Sequence, residues 1–156
     1  MALFVGHSEA KIDGKHRLPV GSAFREQMEP ESDGKDFIMV LGPNKRLRLY
    51  PDRYFRRMLK KLKRSPLPTR DQAKLTLFFA LARDLKPDAQ GRVVIPQVLM
   101  DKASLDGEVT LIGNGDHIEL WRRDDWSRLV DEGMDDYDEN VFSMAERMMA
   151  VEDDED

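Results

Sequence analysis

The stretch Ile12-Asp13-Gly14-Lys15-His16-Arg17-Leu18-Pro19-Val20 returns 75 residues later as Pro87-Asp88-Ala89-Gln90-Gly91-Arg92-Val93-Val94-Ile95. Both carry Asp-x-x-x-Arg followed by a short apolar run. A second match lies at an offset of 71, with Val40-Leu41-Gly42-Pro43-Asn44-Lys45-Arg46-Leu47-Arg48-Leu49-Tyr50 against Leu111-Ile112-Gly113-Asn114-Gly115-Asp116-His117-Ile118-Glu119-Leu120-Trp121. Phe55 then falls opposite Trp126. The four extra residues of the first copy are assigned to the polar run from Met28 to Lys35, where added loop length costs little closure entropy. Self-similarity at a fixed spacing is the mark of a duplicated structural unit.

Each copy reads alike. An extended segment meets a tight turn at Asp-x-x-x-Arg and leaves it as a short strand. A short helix follows, Gly21 to Gln27 and Gln97 to Ala103, the second with Pro96 at or near its first position. A hairpin comes next, Phe37–Leu41 with Arg46–Tyr50 and Val109–Ile112 with His117–Trp121, turning at Gly42-Pro43-Asn44 and Gly113-Asn114-Gly115. Leu47 and Leu49 alternate with Arg46 and Arg48, as half-buried strands require. Pro51 to Arg64 has helical spacing of Tyr54, Phe55, Met58, Leu59 and Leu62. Thr69 is placed to cap a further helix, reaching about Arg83 and burying Leu75, Leu77, Phe78, Phe79 and Leu81. Arg122 to Val130 and Glu139 to Ala150 read as the last helices, and Glu152 to Asp156 as a disordered charge run. Tyr50 with Trp121, and Phe55 with Trp126, are expected as duplicated core anchors. The expected class is α+β and β-rich, with modules at 4–55 and 83–126, connecting helices at 56–82, and a C-terminal helix and acidic tail at 127–156.

The net charge of -5 conceals an uneven distribution. Asp131 to Asp156 carry twelve acids and one base, whereas residues 11–86 carry 19 bases and nine acids. The net value therefore says little about the partner of the body. With no cysteine, disulfide and zinc-thiolate sites are excluded, and the usage fits a reducing cytosol. The first residues lack the basic and apolar parts of a signal peptide, and no uninterrupted apolar run is long enough to span a bilayer.

The doubled strand, Asp-x-x-x-Arg turn, short helix and hairpin resemble the MraZ family of bacterial transcriptional regulators. The second half carries the likeness most closely, through Phe78-Phe79, Asp88-Ala89-Gln90-Gly91-Arg92-Val93-Val94-Ile95-Pro96 and Leu111 to Trp121. In the first half His16 stands where the family usually has Gly. Gly21 stands where it has Pro, and Pro19 comes two places early. These departures bear on the geometry of the first turn. The resemblance implies two AbrB-like swapped-hairpin modules that interleave as an intrachain pseudo-dimer. It also implies a closed ring of subunits, and binding to direct repeats upstream of the division and cell-wall gene cluster, usually as a repressor.

Asp13 with Arg17 and Asp88 with Arg92 suit a charge-assisted pair that pins each turn. A guanidinium on a rigid turn also suits phosphate or guanine contact, and the Asp can orient the Arg that touches DNA. Lys15, His16 and Arg17 make the first turn basic, whereas Ala89, Gln90 and Gly91 leave Arg92 in nearly neutral company. The first turn is therefore expected to be the principal reading head, with Arg92 second. Arg53, Arg56, Arg57, Lys60, Lys61, Lys63 and Arg64 form an unbroken basic series expected on one helix, with Arg46 and Arg48 extending it. Such a series adds affinity through counterion release without reading sequence. Solvation, or contact with an acidic surface, accounts for it equally well.

Catalysis finds little in the chain. His7, His16 and His117 are scattered without metal-ligand spacing, Ser22 and Ser104 lack a nucleophile elbow, and Gly113-Asn114-Gly115 sits within a hairpin rather than after a strand before a helix. The reading is a regulator without cofactor, metal or small-molecule substrate, cytoplasmic and nucleoid-associated, acting on double-stranded DNA as a homo-oligomer. The alternative is an oligomeric interaction module whose basic helix docks on an acidic partner or another subunit's acidic tail.

Overall fold

The strand pairing follows from where each copy can bury its apolar face. In the computed structural model, which describes residues 1–155, the first copy supplies β1 (His7–Lys11), β2 (Arg17–Pro19), α1 (Ser22–Arg25), α2 (Pro30–Asp33), β3 (Phe37–Leu41), β4 (Leu47–Pro51) and α3 (Asp52–Lys60). Two short helices, α4 (Arg70–Lys74) and α5 (Thr76–Leu81), lead to the second copy. That copy supplies β5 (Arg83–Leu85), β6 (Arg92–Val94), α6 (Gln97–Lys102), β7 (Glu108–Gly113), β8 (Ile118–Arg122) and α7 (Arg123–Gly133), before a last helix α8 (Tyr137–Glu155). Met1–Arg123 is one compact unit and Asp124–Asp156 a second.

Within the first unit the copies are interleaved. A six-stranded antiparallel sheet runs β1-β7-β8-β4-β3-β5, so the leading strand of each copy pairs with the hairpin of the other. A separate ribbon pairs β2 with β6. Leu18 faces Val93 in this ribbon, and Arg48 faces Glu119 where β4 meets β8. Each of these pairs is a residue and its own repeat counterpart, which places a pseudo-twofold axis through both. This is the swapped-hairpin pseudo-dimer.

The register corrects the alignment of the hairpins. Met39 faces Leu49 and Leu111 faces Leu120, so β3 corresponds to β7 at an offset of 72 while β4 corresponds to β8 at 71. The extra residue lies in the first hairpin turn, where Gly42 N–H bonds Arg46 C=O against Asn114 to His117 in the second. Asn44 and Lys45 take left-handed φ values of 61° and 58° to fit it in.

One cluster holds the unit together. Leu18, Val20, Val93 and Ile95 of the ribbon segments meet Phe24 and Leu99 of α1 and α6. Phe37, Met39, Leu47, Leu49, Leu111, Ile118 and Leu120 close it from the sheet, all fully buried. Each such side chain contributes roughly 1.5–3 kcal/mol by leaving water.

Several expected elements differ. Helix α3 ends at Lys60, so Lys61, Lys63 and Arg64 lie in the turn beyond it. Thr69 does cap α4 in a full capping box with Gln72, but the helix breaks at Leu75 and the chain turns extended at Ala82 to let β5 join β3. Leu75 and Leu77 are exposed rather than buried, and Phe78, Phe79 and Leu81 are half-buried. Pro96 caps α6 directly before its first residue, in keeping with the expected position. Tyr50, Phe55, Trp121 and Trp126 are half-buried instead of core. Tyr50 stacks on Phe55 with ring centroids 4.2 Å apart. Helix α8 continues through Glu152 to Glu155, where a charge run was expected to be disordered; Asp156 lies outside the described residues.

Candidate nucleic-acid interface

Each Asp-x-x-x-Arg turn is built by its aspartate. Asp13 Oδ1 accepts the backbone N–H of Lys15 and of Arg17, both at 2.9 Å, and Oδ2 accepts Arg17 Nε at 2.6 Å. Asp88 does the same, accepting Gln90 N–H at 2.9 Å, Arg92 N–H at 3.0 Å and Arg92 Nε at 2.9 Å. The arginine backbone N–H, helped by its guanidinium and the next turn amide, outweighs partial desolvation and holds both carboxyls below the usual range. Each aspartate engages only Nε, leaving both Nη groups without a hydrogen-bond partner among the described residues.

The two departures in the first turn leave its shape unchanged. His16 adopts φ 60°, the left-handed conformation that Gly91 takes at φ 77°. Gly21 caps α1 with φ -57° and ψ 149°, against -58° and 143° for Pro96. Symmetric ribbon bonds confirm the match, Ile95 N–H to His16 C=O at 2.9 Å and Val20 N–H to Gly91 C=O at 3.0 Å.

Strand alternation then sorts the ribbon's faces. Leu18 and Val93 point into the core, while Arg17, Pro19, Arg92 and Val94 lie on the opposite, solvent face. Arg17 sits opposite Val94 and Arg92 opposite Pro19. The arginines are therefore diagonal neighbours, roughly 7–8 Å apart at the backbone.

The clefts beside the two heads carry charges of their own. The cleft beside Asp13 and His16 is lined by Asp101 and Asp106. Beside the second turn, a cleft is lined by Arg25, Lys35 and Lys86 together with Asp36. Arg25 lies directly over Gly91, its Cζ 2.6 Å from where a Cβ would stand, and its Nε donates to Val20 C=O at 2.9 Å. The first copy thus lends a base to the second copy's neutral turn. Sequence reasoning missed Arg25 because the exchange appears only once the copies interleave.

The basic series divides by role. Arg53 donates to Glu31 C=O at 3.2 Å and Arg57 to Ser32 C=O at 3.0 Å, both in α2, while Arg56 pairs with Asp84. Lys60, Lys61 and Lys63 have no ion-pair partner among the described residues, and Arg64 lies 5.2 Å over the Phe79 ring. Arg46 stacks 3.3 Å from the centre of Trp121, and Arg48 donates to Tyr50 Oη at 3.2 Å and lies 4.0 Å from Glu119. These two brace the outer face of the sheet.

That face also holds a buried polar chain. His117 Nδ1 lies 2.8 Å from Asp116 and Nε2 2.8 Å from Glu119, which also accepts Asn114 Nδ2 and Trp121 Nε1. Burial raises both carboxyls, but the hydrogen bonds from His117 and their other donors outweigh it, so both sit below their ordinary values. Burial, then the hydrogen bond to Asp116, pushes the Tyr54 phenol up to about 12. The chain ties α3 to the second hairpin.

Interleaved hairpins, with paired arginine turns on one outward ribbon, define a tandem AbrB-like protein. The family described as MraZ protein, antitoxin-like, matches twice in succession, over residues 3–77 and 78–150. The chain belongs to the MraZ family, whose members are transcriptional regulators and not enzymes. It is 37% identical to the transcriptional regulator MraZ of Alkaliphilus metalliredigens and 34% to that of Clostridium tetani, each over 92% of this chain and 98% of the relative. It is 31% identical to that of Carboxydothermus hydrogenoformans, over 94% of this chain and all of the relative. Among the described residues, no helix is long and apolar enough to cross a membrane.

Proposed function

We propose that the chain regulates transcription by seating the β2–β6 ribbon in the major groove of double-stranded DNA. The observation that carries this is the placement of Arg17 and Arg92 on one face of the ribbon, each with Nε held by an aspartate and both Nη groups without a hydrogen-bond partner among the described residues. A two-stranded ribbon fits that groove, and the Nη pair of an arginine matches guanine O6 and N7. Lys15, His16 and Arg25 flank the heads as phosphate and edge contacts. Lys60, Lys61, Lys63 and Arg64 add sequence-independent affinity, with Arg46, Arg48, Arg53, Arg56 and Arg57 lesser contributors because each also holds the fold. Asp13 and Asp88 orient the heads and touch no DNA.

The proposed targets are direct repeats upstream of the division and cell-wall gene cluster, bound as a repressor by a ring-shaped homo-oligomer associated with the nucleoid. Several weak heads facing several boxes gain affinity through effective concentration. Selection of bound duplexes from a random pool tests the reading. Enrichment of repeated short boxes, lost with Arg17→Ala, is expected; a pool without sequence preference would refute it.

A further inference from the structure

Helix α8 presents Tyr137, Val141, Met144, Met148 and Val151 along one side, at successive spacings of four, three, four and three residues. All are between 48% and 64% exposed. Alternating four-three spacing is the seam by which a helix packs on a partner, and an open apolar stripe of this kind marks an interaction surface. Asp138 and Glu152 border the seam. With twelve acids and one base from Asp131 to Asp156, two such helices side by side repel one another, so the charge calls for a basic partner.

A surface of that kind lies in the Met1–Arg123 unit. Leu62, Lys63, Arg64, Gln72, Leu75 and Phe79 line a groove of about 360 Å³ where the turn after α3 meets α4 and α5. Leu62 and Leu75 are 46% and 41% exposed. Lys60, Lys61, Arg70 and Lys74 lie close to its lining residues along the chain, and Asp71 is the single acid between Lys60 and Leu81. The groove offers apolar floor and basic rim, and α8 offers apolar seam and acidic border.

We propose that α8 of one copy docks in this groove on a second copy. Leu62 and Leu75 of the groove and the seam residues of α8 are all exposed, so each copy has one groove and one seam to offer. The contact is head to tail: a copy that fills its neighbour's groove leaves its own for the next, and such contacts close into rings when the rotation permits. This rests on the homo-oligomeric part of the proposed function and is independent of the Arg17 and Arg92 heads, although it shares Lys63 and Arg64 with the auxiliary DNA contacts.

The native chain has no cysteine, which makes site-directed cross-linking clean. Leu75→Cys and Met144→Cys chains of different tag length, mixed and mildly oxidised, are expected to give the mixed disulfide as the main product. Dominant linkage of Met144→Cys chains to themselves, or closure of the double variant within one chain, overturns the proposal. Sedimentation of the same samples separates the readings. An oligomer without the mixed link overturns this interface alone, whereas a monomer throughout overturns the homo-oligomer as well. Lys63→Glu with Arg64→Glu is expected to weaken association about tenfold at low salt. Pairing it with Asp138→Lys and Glu152→Lys chains is expected to restore association; unchanged association in the first variant, with native circular dichroism, refutes the docking.

Discussion

Replacing Gly91 by alanine tests the second head at its tightest point. An L-residue at φ 77° costs about 1–2 kcal/mol relative to glycine. The added Cβ would also stand 2.6–2.7 Å from three guanidinium atoms of Arg25. Those atoms end a flexible side chain, so Arg25 swings away and gives up its bond to Val20 C=O, worth about 0.5–1.5 kcal/mol. The sum is about 2–3 kcal/mol, or roughly 10 °C in Tm for a unit of this size. Chemical denaturation of the parent, Gly91→Ala, Arg25→Ala and the double variant forms a cycle in which the Arg25 part drops out of the double. His16→Ala is the internal control, since that position already holds an L-residue at φ 60°, and it is expected to change stability by less than about 0.5 kcal/mol. If Gly91→Ala costs the same with and without Arg25, the packing of Arg25 on the turn is refuted. If it costs no more than His16→Ala, the turn is not left-handed.

Other perturbations reach other parts of the molecule. Arg17→Ala and Arg92→Ala should each weaken binding to a selected site by about 1–3 kcal/mol, and to random DNA by less, in fluorescence anisotropy; equal losses on both would exclude base reading. Arg53→Ala should lower Tm through its contact with α2 with little change in DNA affinity, whereas Lys60→Ala with Lys61→Ala should do the reverse and flatten the salt dependence. His117→Ala strips a buried partner from Asp116 and Glu119 and should cost about 3–5 kcal/mol in urea unfolding. Both carboxyls titrate below their ordinary values in the fold, so their stabilisation is complete above about pH 5 and is lost as pH falls through the depressed values. Tyr54 shifts the other way: its contribution holds below about pH 10 and fades toward 12. Glu119→Gln should therefore flatten the acid limb and Tyr54→Phe the alkaline one in urea midpoints against pH, and limbs parallel to the parent's would refute the assignment.

The duplication made the fold legible, because Asp-x-x-x-Arg and the alternating hairpins survive in both halves. Residue types alone could not reveal which hairpin pairs with which leading strand, since that depends on contacts between residues some hundred positions apart, such as His7 with Ile112. The same long-range exchange hid Arg25, which serves a turn in the other copy. His16 and Gly21 looked like departures in spelling, yet backbone conformation is what the turn requires, and both residues meet it. Helical spacing carries no signal of the α2 carbonyls that Arg53 and Arg57 hold. Leu75 and Leu77 were expected inside because an apolar residue does not announce whether its cover comes from its own chain.

The facing of Arg48 and Glu119 across the pseudo-twofold axis carries a consequence for why the two halves share one polypeptide. In a dimer of identical chains, a residue on the axis meets a copy of itself, so an arginine there would confront an arginine. Joining the halves covalently lifts that constraint, and opposite charges can occupy the two sides of the seam. The same freedom lets one half lend Arg25 while the other keeps a bare glycine beneath it. Fusion has turned a symmetric seam into a place where the two halves can specialise.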